Sequence, residues 1–107
     1  MTKQSSPKAW MNLDGSSGTP TARATFNVTS FTDMGTGFWT ANFTTAFSSV
    51  NFAGAGSGQS TSTTFGDRQL TILPKTTTTA DLFAGQTATA SLYDVPYALA
   101  IICGNMT

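Results

Sequence analysis

Between Phe26 and Phe43, apolar and polar residues alternate with a period of two. Phe26 and Val28 share one parity, Asn27 and Thr29 the other; further on, Trp39, Ala41 and Phe43 oppose Phe38, Thr40 and Asn42. That period belongs to a half-buried strand and makes no continuous apolar stripe on a helix. The intervening Asp33-Met34-Gly35-Thr36-Gly37 supplies glycines where a tight turn needs positive φ, so the segment predicts a β-hairpin. Phe31 falls out of step with Phe26 and Val28, which predicts a β-bulge near Ser30.

The same style of patterning runs through the chain. Strands are predicted over 8–13, anchored by Trp10, then over 22–28, 37–45, 50–53, 68–73 and 87–93. Residues 97–103, Tyr-Ala-Leu-Ala-Ile-Ile-Cys, are apolar at consecutive positions, the composition of a central strand covered on both faces. Between these lie turn-rich 14–20, a low-complexity glycine-serine-threonine loop over 54–64, and turns at 84–86 and 94–96. Residues 75–80 read as a loop or a polar edge strand. The expected architecture is all-β. A single β-sandwich of about seven to eight short antiparallel strands, jelly-roll-like or related in topology, occupies residues 8–107 behind a flexible arm at 1–7. Its expected core is Trp10, Phe26, Val28, Trp39, Ala41, Phe43, Leu70, Ile72, Leu92, Leu99 and Ile101.

Composition moves the functional question from chemistry to surfaces. The chain of 107 residues contains no histidine, and all five of its acids are aspartates. General acid–base work near neutral pH draws mostly on His or a tuned Glu, so an enzyme is not expected. Threonine and serine together make up roughly 30% of the residues, far above an average domain. Charged residues are only 9%. Copies of such a chain repel each other weakly, which eases association.

Five dispersed basic residues, Lys3, Lys8, Arg23, Arg68 and Lys75, balance the acids to a net charge of zero, which argues against nucleic acid as a partner. No segment has the length of a transmembrane helix, so no membrane association is expected. No apolar run follows the polar residues 1–7, so no secretory signal is expected. The lone Cys103 has no histidine to activate it and reads as a small buried hydrophobe. The aspartates lack the D-x-D-x-D-G spacing of a calcium loop, and neither metal nor cofactor is expected.

Four kinds of position stand out as candidate sites. Phe38 falls where a small or polar residue is expected and is a candidate subunit contact. Lys3 and Lys8 bracket the arm, a candidate docking element that adds itself to a neighbouring sheet edge. Tyr93 and Tyr97 flank Asp94-Val95-Pro96, either lining a ligand-binding loop or capping a simple turn. Trp10 and Trp39 read as core, with stacking on a pyranose ring as the other role open to them.

Three stretches carry a resemblance. Lys8-Ala9-Trp10-Met11-Asn12 resembles a K-A-W-x-N opening in small β-domains of bacteriophage virion proteins, a group that includes tail-fibre and other virion structural proteins. The hairpin residues 26–30, 32–37 and 40–46 resemble the next block of that family, and Val95-Pro96-Tyr97-Ala98-Leu99-Ala100-Ile101-Ile102 its closing strand. About half the chain is covered, and residues 54–85 have no counterpart. The resemblance implies a non-enzymatic virion structural protein, made in the host bacterial cytoplasm and located on the virion. It would self-associate there, as a homotrimer, in the role of capsid decoration or cement, or of a small fibre or tail accessory. Its partners would be sister copies and other virion proteins such as major capsid or tail proteins. The alternative is a receptor-binding tail-fibre module that recognises host surface glycan.

Overall fold

A computed structural model describes residues 7–16, 19–60, 68–86 and 91–105. Among them nine strands form two antiparallel sheets, with no helix. The strands are β1 (Pro7–Asp14), β2 (Thr21–Phe26), β3 (Val28–Gly35), β4 (Phe38–Phe43), β5 (Ala53–Gln59), β6 (Gln69–Thr76), β7 (Thr79–Gln86), β8 (Ser91–Leu92) and β9 (Tyr97–Cys103). The front sheet has the order β2-β1-β9-β5 and the back sheet β3-β4-β7-β6, with β8 paired to the end of β7. The expected all-β sandwich is thus the observed fold. Three hairpins (β1–β2, β3–β4, β6–β7) build most of it, and the chain crosses between sheets after β2, β4, β5 and β8.

The core lies between the sheets. From the back sheet come Trp39, Ala41, Phe43, Leu70, Ala80, Leu82 and Ala84; from the front sheet come Ala9, Met11, Leu13, Ala98, Ala100 and Ile102. Both layers mix bulky with small residues: Trp39, Phe43 and Leu82 with Ala41, Ala80 and Ala84 in one, and Met11, Leu13 and Ile102 with Ala9, Ala98 and Ala100 in the other. Phe47 and Phe52, on the connection from β4 to β5, close one end with Phe43. Phe47 stacks on Phe52 at 4.5 Å, and Phe43 meets Phe47 edge-on at 5.1 Å.

Against the expected core, Trp39, Ala41, Phe43 and Leu70 are buried, while Val28 and Ile72 are half-buried against it. Trp10, Phe26, Leu92, Leu99 and Ile101 are instead exposed. In β1 and β9 the parity is the opposite of the one expected: Ala9, Met11 and Leu13, with Ala98, Ala100 and Ile102, point inward. In β1 the alternation of Ala9, Met11 and Leu13 with Lys8, Asn12 and Asp14 matches the observed orientation, and the expectation follows Trp10 alone. In β9 both parities are apolar, so alternation does not choose between them, and a one-residue slip exchanges the faces. Cys103 is half-buried rather than buried.

Three other expectations are corrected. The expected strand 22–28 is two strands in different sheets, so Phe26 and Val28 do not share a face. Residues 53–59, read as the end of one strand and the start of a loop, form β5 on the edge of the front sheet. Its glycines permit this: a Cβ on Gly56 would lie 2.7 Å from the Leu99 carbonyl oxygen and 3.0 Å from Leu70 and Ile72 side-chain carbons. Residues 84–86, read as a turn, belong to β7, a central strand whose Ala80, Leu82 and Ala84 face inward. The bulge expected near Ser30 is present as a register shift between Val28 and Ser30.

Asn27 makes the corner between the two sheets. Its φ is 60°, the left-handed region that asparagine enters more readily than other residues bearing a Cβ. Its side chain also grips the opposite segment: Nδ2 donates to the Thr45 carbonyl (3.1 Å) and Oδ1 accepts from the Thr45 N–H (2.7 Å). Asn27→Ala loses both bonds and strains the corner, an expected cost of about 2 kcal/mol. Asn27→Gly relieves the strain alone and should cost about half as much. Urea midpoints at constant slope measure both; equal stability of all three proteins would show that the corner is set elsewhere.

Candidate interaction surface

The exposed parity of β1 and β9 assembles an apolar face. Cross-strand register aligns Phe26, Trp10, Ile101 and Ala55 in one row and Ala24, Asn12, Leu99 and Ser57 in the next. At a strand spacing near 4.8 Å, each row spans about 14 Å. Exposure is 52% for Phe26, 39% for Trp10, 53% for Ile101 and 40% for Leu99. Four large apolar side chains therefore stand side by side in solvent, where scattered single ones are the norm. Between them, Trp10, Asn12, Ala55, Ser57, Leu99 and Ile101 line a shallow depression of about 590 Å³.

Charge is confined to the ends of this face. At one end Arg23 donates to the Leu13 carbonyl (3.0 Å) and the Asn12 carboxamide oxygen (3.3 Å). It also pairs with Asp14 at 3.6 Å and lies over the Tyr97 ring at 4.6 Å. The Ser16 hydroxyl and N–H, both donating to Asp14, hold that carboxyl below its ordinary range, with Arg23 assisting. A depressed folded value means the contribution is present at neutral pH and fades as pH falls through that value. At the other end Lys8 sits at a register shift in β1, and Cys103 pairs with Pro7.

The outer face of the back sheet has the opposite character. Asn42 donates to the Ser30 and Thr32 hydroxyls at 3.2 and 3.1 Å. The Thr40 hydroxyl donates to buried Asp81 at 2.9 Å, and Lys75 reaches Asp81 at 3.6 Å. Beside this polar belt Phe38 stacks on Phe83, with centroids 4.5 Å apart. Next to Phe83 lies an uncharged pocket of about 270 Å³ lined by Gln69, Thr71, Gln86, Ser91 and Leu92.

The structure does not bring the candidate residues from the sequence together. Phe38 is half-buried on the back sheet, packed on Phe83. Tyr97 opens β9 in the front sheet beneath Arg23, while exposed Tyr93 joins the back sheet by donating its N–H to the Ala84 carbonyl. Arg68 lies over the Tyr93 ring at 4.7 Å. Each tyrosine thus has one ring face covered by a guanidinium. Lys8 lies within β1, and Lys3 with the rest of residues 1–6 is outside the described residues. The residues the sequence reading missed as surface are Trp10, Phe26, Leu99 and Ile101, each placed in the core. The signal was present in β9, whose two apolar parities call for cover on both faces.

Every described aspartate is engaged locally. Asp14 accepts from Ser16, Asp33 from the Gly35 N–H (3.1 Å), Asp81 from Thr40, and Asp94 from the Gly37 N–H (2.8 Å). These carboxylates hold turns and strands in register. Among the described residues no three His, Cys, Asp or Glu side chains group as metal ligands would. No family model, no curated protein and no solved structure matches the chain.

Proposed function

We propose that this chain is a non-enzymatic structural protein of a bacteriophage virion, self-associating as a homotrimer on the particle surface. Its role is that of a capsid decoration or cement protein, or a small fibre or tail accessory. The observation that carries this reading is the exposed apolar face of the front sheet on a chain with almost no surface charge. A contiguous apolar face of this kind marks an interaction surface. The K-A-W-x-N resemblance adds support, because those residues are β1, and β1 displays Trp10 and Asn12 on that face. Carboxylates committed to turns and strand contacts fit a protein whose work is docking.

A second reading is a glycan-binding tail-fibre module. The pocket beside Phe83 favours it: an aromatic ring among hydroxyls and carboxamides, with no charge, suits a neutral saccharide. The two readings part on a simple assay. Purified protein is added to virions lacking it and, separately, to host cells, and both are sedimented. Sedimentation with particles alone is the expected result. Sedimentation with cells alone, competed by surface glycan, would replace the first reading with the second.

A further inference from the structure

We infer that the apolar face of the front sheet is the contact between copies of this chain, with three front sheets turned inward around a common axis. This deepens the self-association proposed above and rests on it.

Three arguments commit the face to sister copies. The first is the composition of β9. Ala98, Ala100 and Ile102 are covered from within the chain, whereas Leu99 and Ile101, on the same central strand, are not. A strand apolar on both parities belongs between two layers, and the described residues supply one of them. The second is charge. Neither row carries an ionised group; Arg23 is paired with Asp14 at one end, and Lys8 stands at the other. An uncharged face exerts no repulsion on its own copy and offers no field for a charged partner to recognise. The third is area. The four large side chains and the small residues between them expose on the order of 600 Å² per copy, which a closed ring shares between two neighbours, so three copies would bury about 1,800 Å² in all.

The rows also suggest how the copies meet. One half of the face is aromatic, Phe26 and Trp10 on β2 and β1; the other half is aliphatic, Leu99 and Ile101 on β9 with Ala55 on β5. The aromatic half of one copy laid on the aliphatic half of the next is a heterologous contact, which closes into a ring when the rotation fits. In the same arrangement the hydroxyl-rich back sheet and the Phe38–Phe83 pair face outward.

Two measurements on the full chain test this. Light scattering of the wild type is expected to give three times the chain mass. Trp10→Asp and Ile101→Asp are each expected to give the monomer mass with an unchanged far-ultraviolet spectrum, and Phe38→Ser is expected to remain assembled. Phe26→Ser and Leu99→Asn make the same test should the aspartate variants misfold. The tryptophans provide the second readout, because Trp39 is fully buried in every copy whereas Trp10 is 39% exposed in the single chain and would be covered by assembly. Dilution should therefore make about half of the tryptophan emission accessible to acrylamide as assemblies dissociate. A wild type that is monomeric at all concentrations overturns the inference, as does Trp10→Asp assembling normally, or Phe38→Ser alone dissociating the complex. A monomeric wild type that still sediments with virions, and loses this on Trp10→Asp, would assign the face to another virion protein. The structural role proposed above would then stand without the self-contact.

Discussion

Trp39→Ala is expected to remove a large share of the domain's stability. Trp39 is fully buried on the inner face of β4, paired by register with Asp33 on one side and Leu82 on the other. Emptying a site of that size costs roughly 3–5 kcal/mol, against a total stability of about 5–15 kcal/mol for a typical domain. For about 100 residues this lowers the melting temperature by roughly 15–30 °C. The surroundings are fitted to the ring. Gly15 donates its N–H to the Val95 carbonyl at 2.8 Å, and a Cβ there would overlap the Trp39 ring. Gly15→Ala should therefore destabilise the wild type, and the penalty should shrink once Trp39 is Ala and the added methyl enters the void. The double-mutant cycle should show a coupling of about 1 kcal/mol or more. Trp10→Ala is the contrast. In the dissociated monomer it should cost clearly less than Trp39→Ala, about 1–2 kcal/mol, since 39% of that residue's surface is already in solvent. Equal losses for the two tryptophans in thermal melts of monomer would refute the assignment of faces.

How far the sequence predicted this molecule depended on whether a strand's two parities differ. In β4, Trp39, Ala41 and Phe43 alternate with Phe38, Thr40 and Asn42, and the inward set was readable because only one parity is consistently apolar. In β1 the clean apolar parity is Ala9, Met11 and Leu13, and the single Trp10 among Lys8, Asn12 and Asp14 drew the expectation to the wrong face. In β9 both parities are apolar, so the strand was legible and its orientation was not. That ambiguity is the physical signature of the apolar face: a sequence that leaves orientation open is one with apolar groups to spare for a second contact. Elsewhere the obstacle was glycine. Ala53 to Gly58 has no large side chain to reveal a period, and it forms a strand because its bare backbone fits between Leu99 and the Leu70 and Ile72 side chains. Phe47 and Phe52 escaped notice for another reason. They pack from an irregular connection, where no period applies.

The candidate site was legible only in outline. Low charge and the absence of histidine raised the expectation of an interaction surface without locating it. The rows that make up that surface come from β2, β1, β9 and β5, strands far apart in the chain and aligned only by sheet register. Tyr93 and Tyr97, four positions apart, looked like one loop site. They stand on different sheets because 94–96 carries the chain from one layer to the other.

Gly37→Ala should be among the most damaging additions of a single methyl in the described chain. Gly37 follows β3 in the turn to β4, with φ of +63°, a region that costs a residue bearing a Cβ roughly 1–2 kcal/mol. Space is a second obstacle. The new Cβ would lie 2.6 Å from both the Ala84 and Tyr93 carbonyl oxygens and 2.7 Å from the Tyr93 nitrogen, and backbone cannot rotate aside as a side chain does. The turn is tied to those same groups. Gly37 donates to Asp94 at 2.8 Å, its carbonyl accepts from the Ala84 N–H at 2.8 Å, and Ala84 in turn accepts from Tyr93 at 2.9 Å. Displacing Gly37 therefore loosens the β3–β4 turn, the end of β7 and the 93–94 segment together. Strain plus lost hydrogen bonds amounts to about 3–4 kcal/mol. Gly35→Ala separates the two contributions: its φ is +146°, but no atom lies within 4 Å of an added Cβ, so it should show strain alone, about 1–2 kcal/mol. Asp94→Ala isolates the hydrogen bond and should cost about 1–2 kcal/mol, whereas Asp94→Asn, which keeps an acceptor oxygen, should cost less. Urea unfolding of the four variants should rank Gly37→Ala well below the others. If Gly37→Ala and Gly35→Ala were equally stable, the packing of the β3–β4 turn against β7 described above would be wrong.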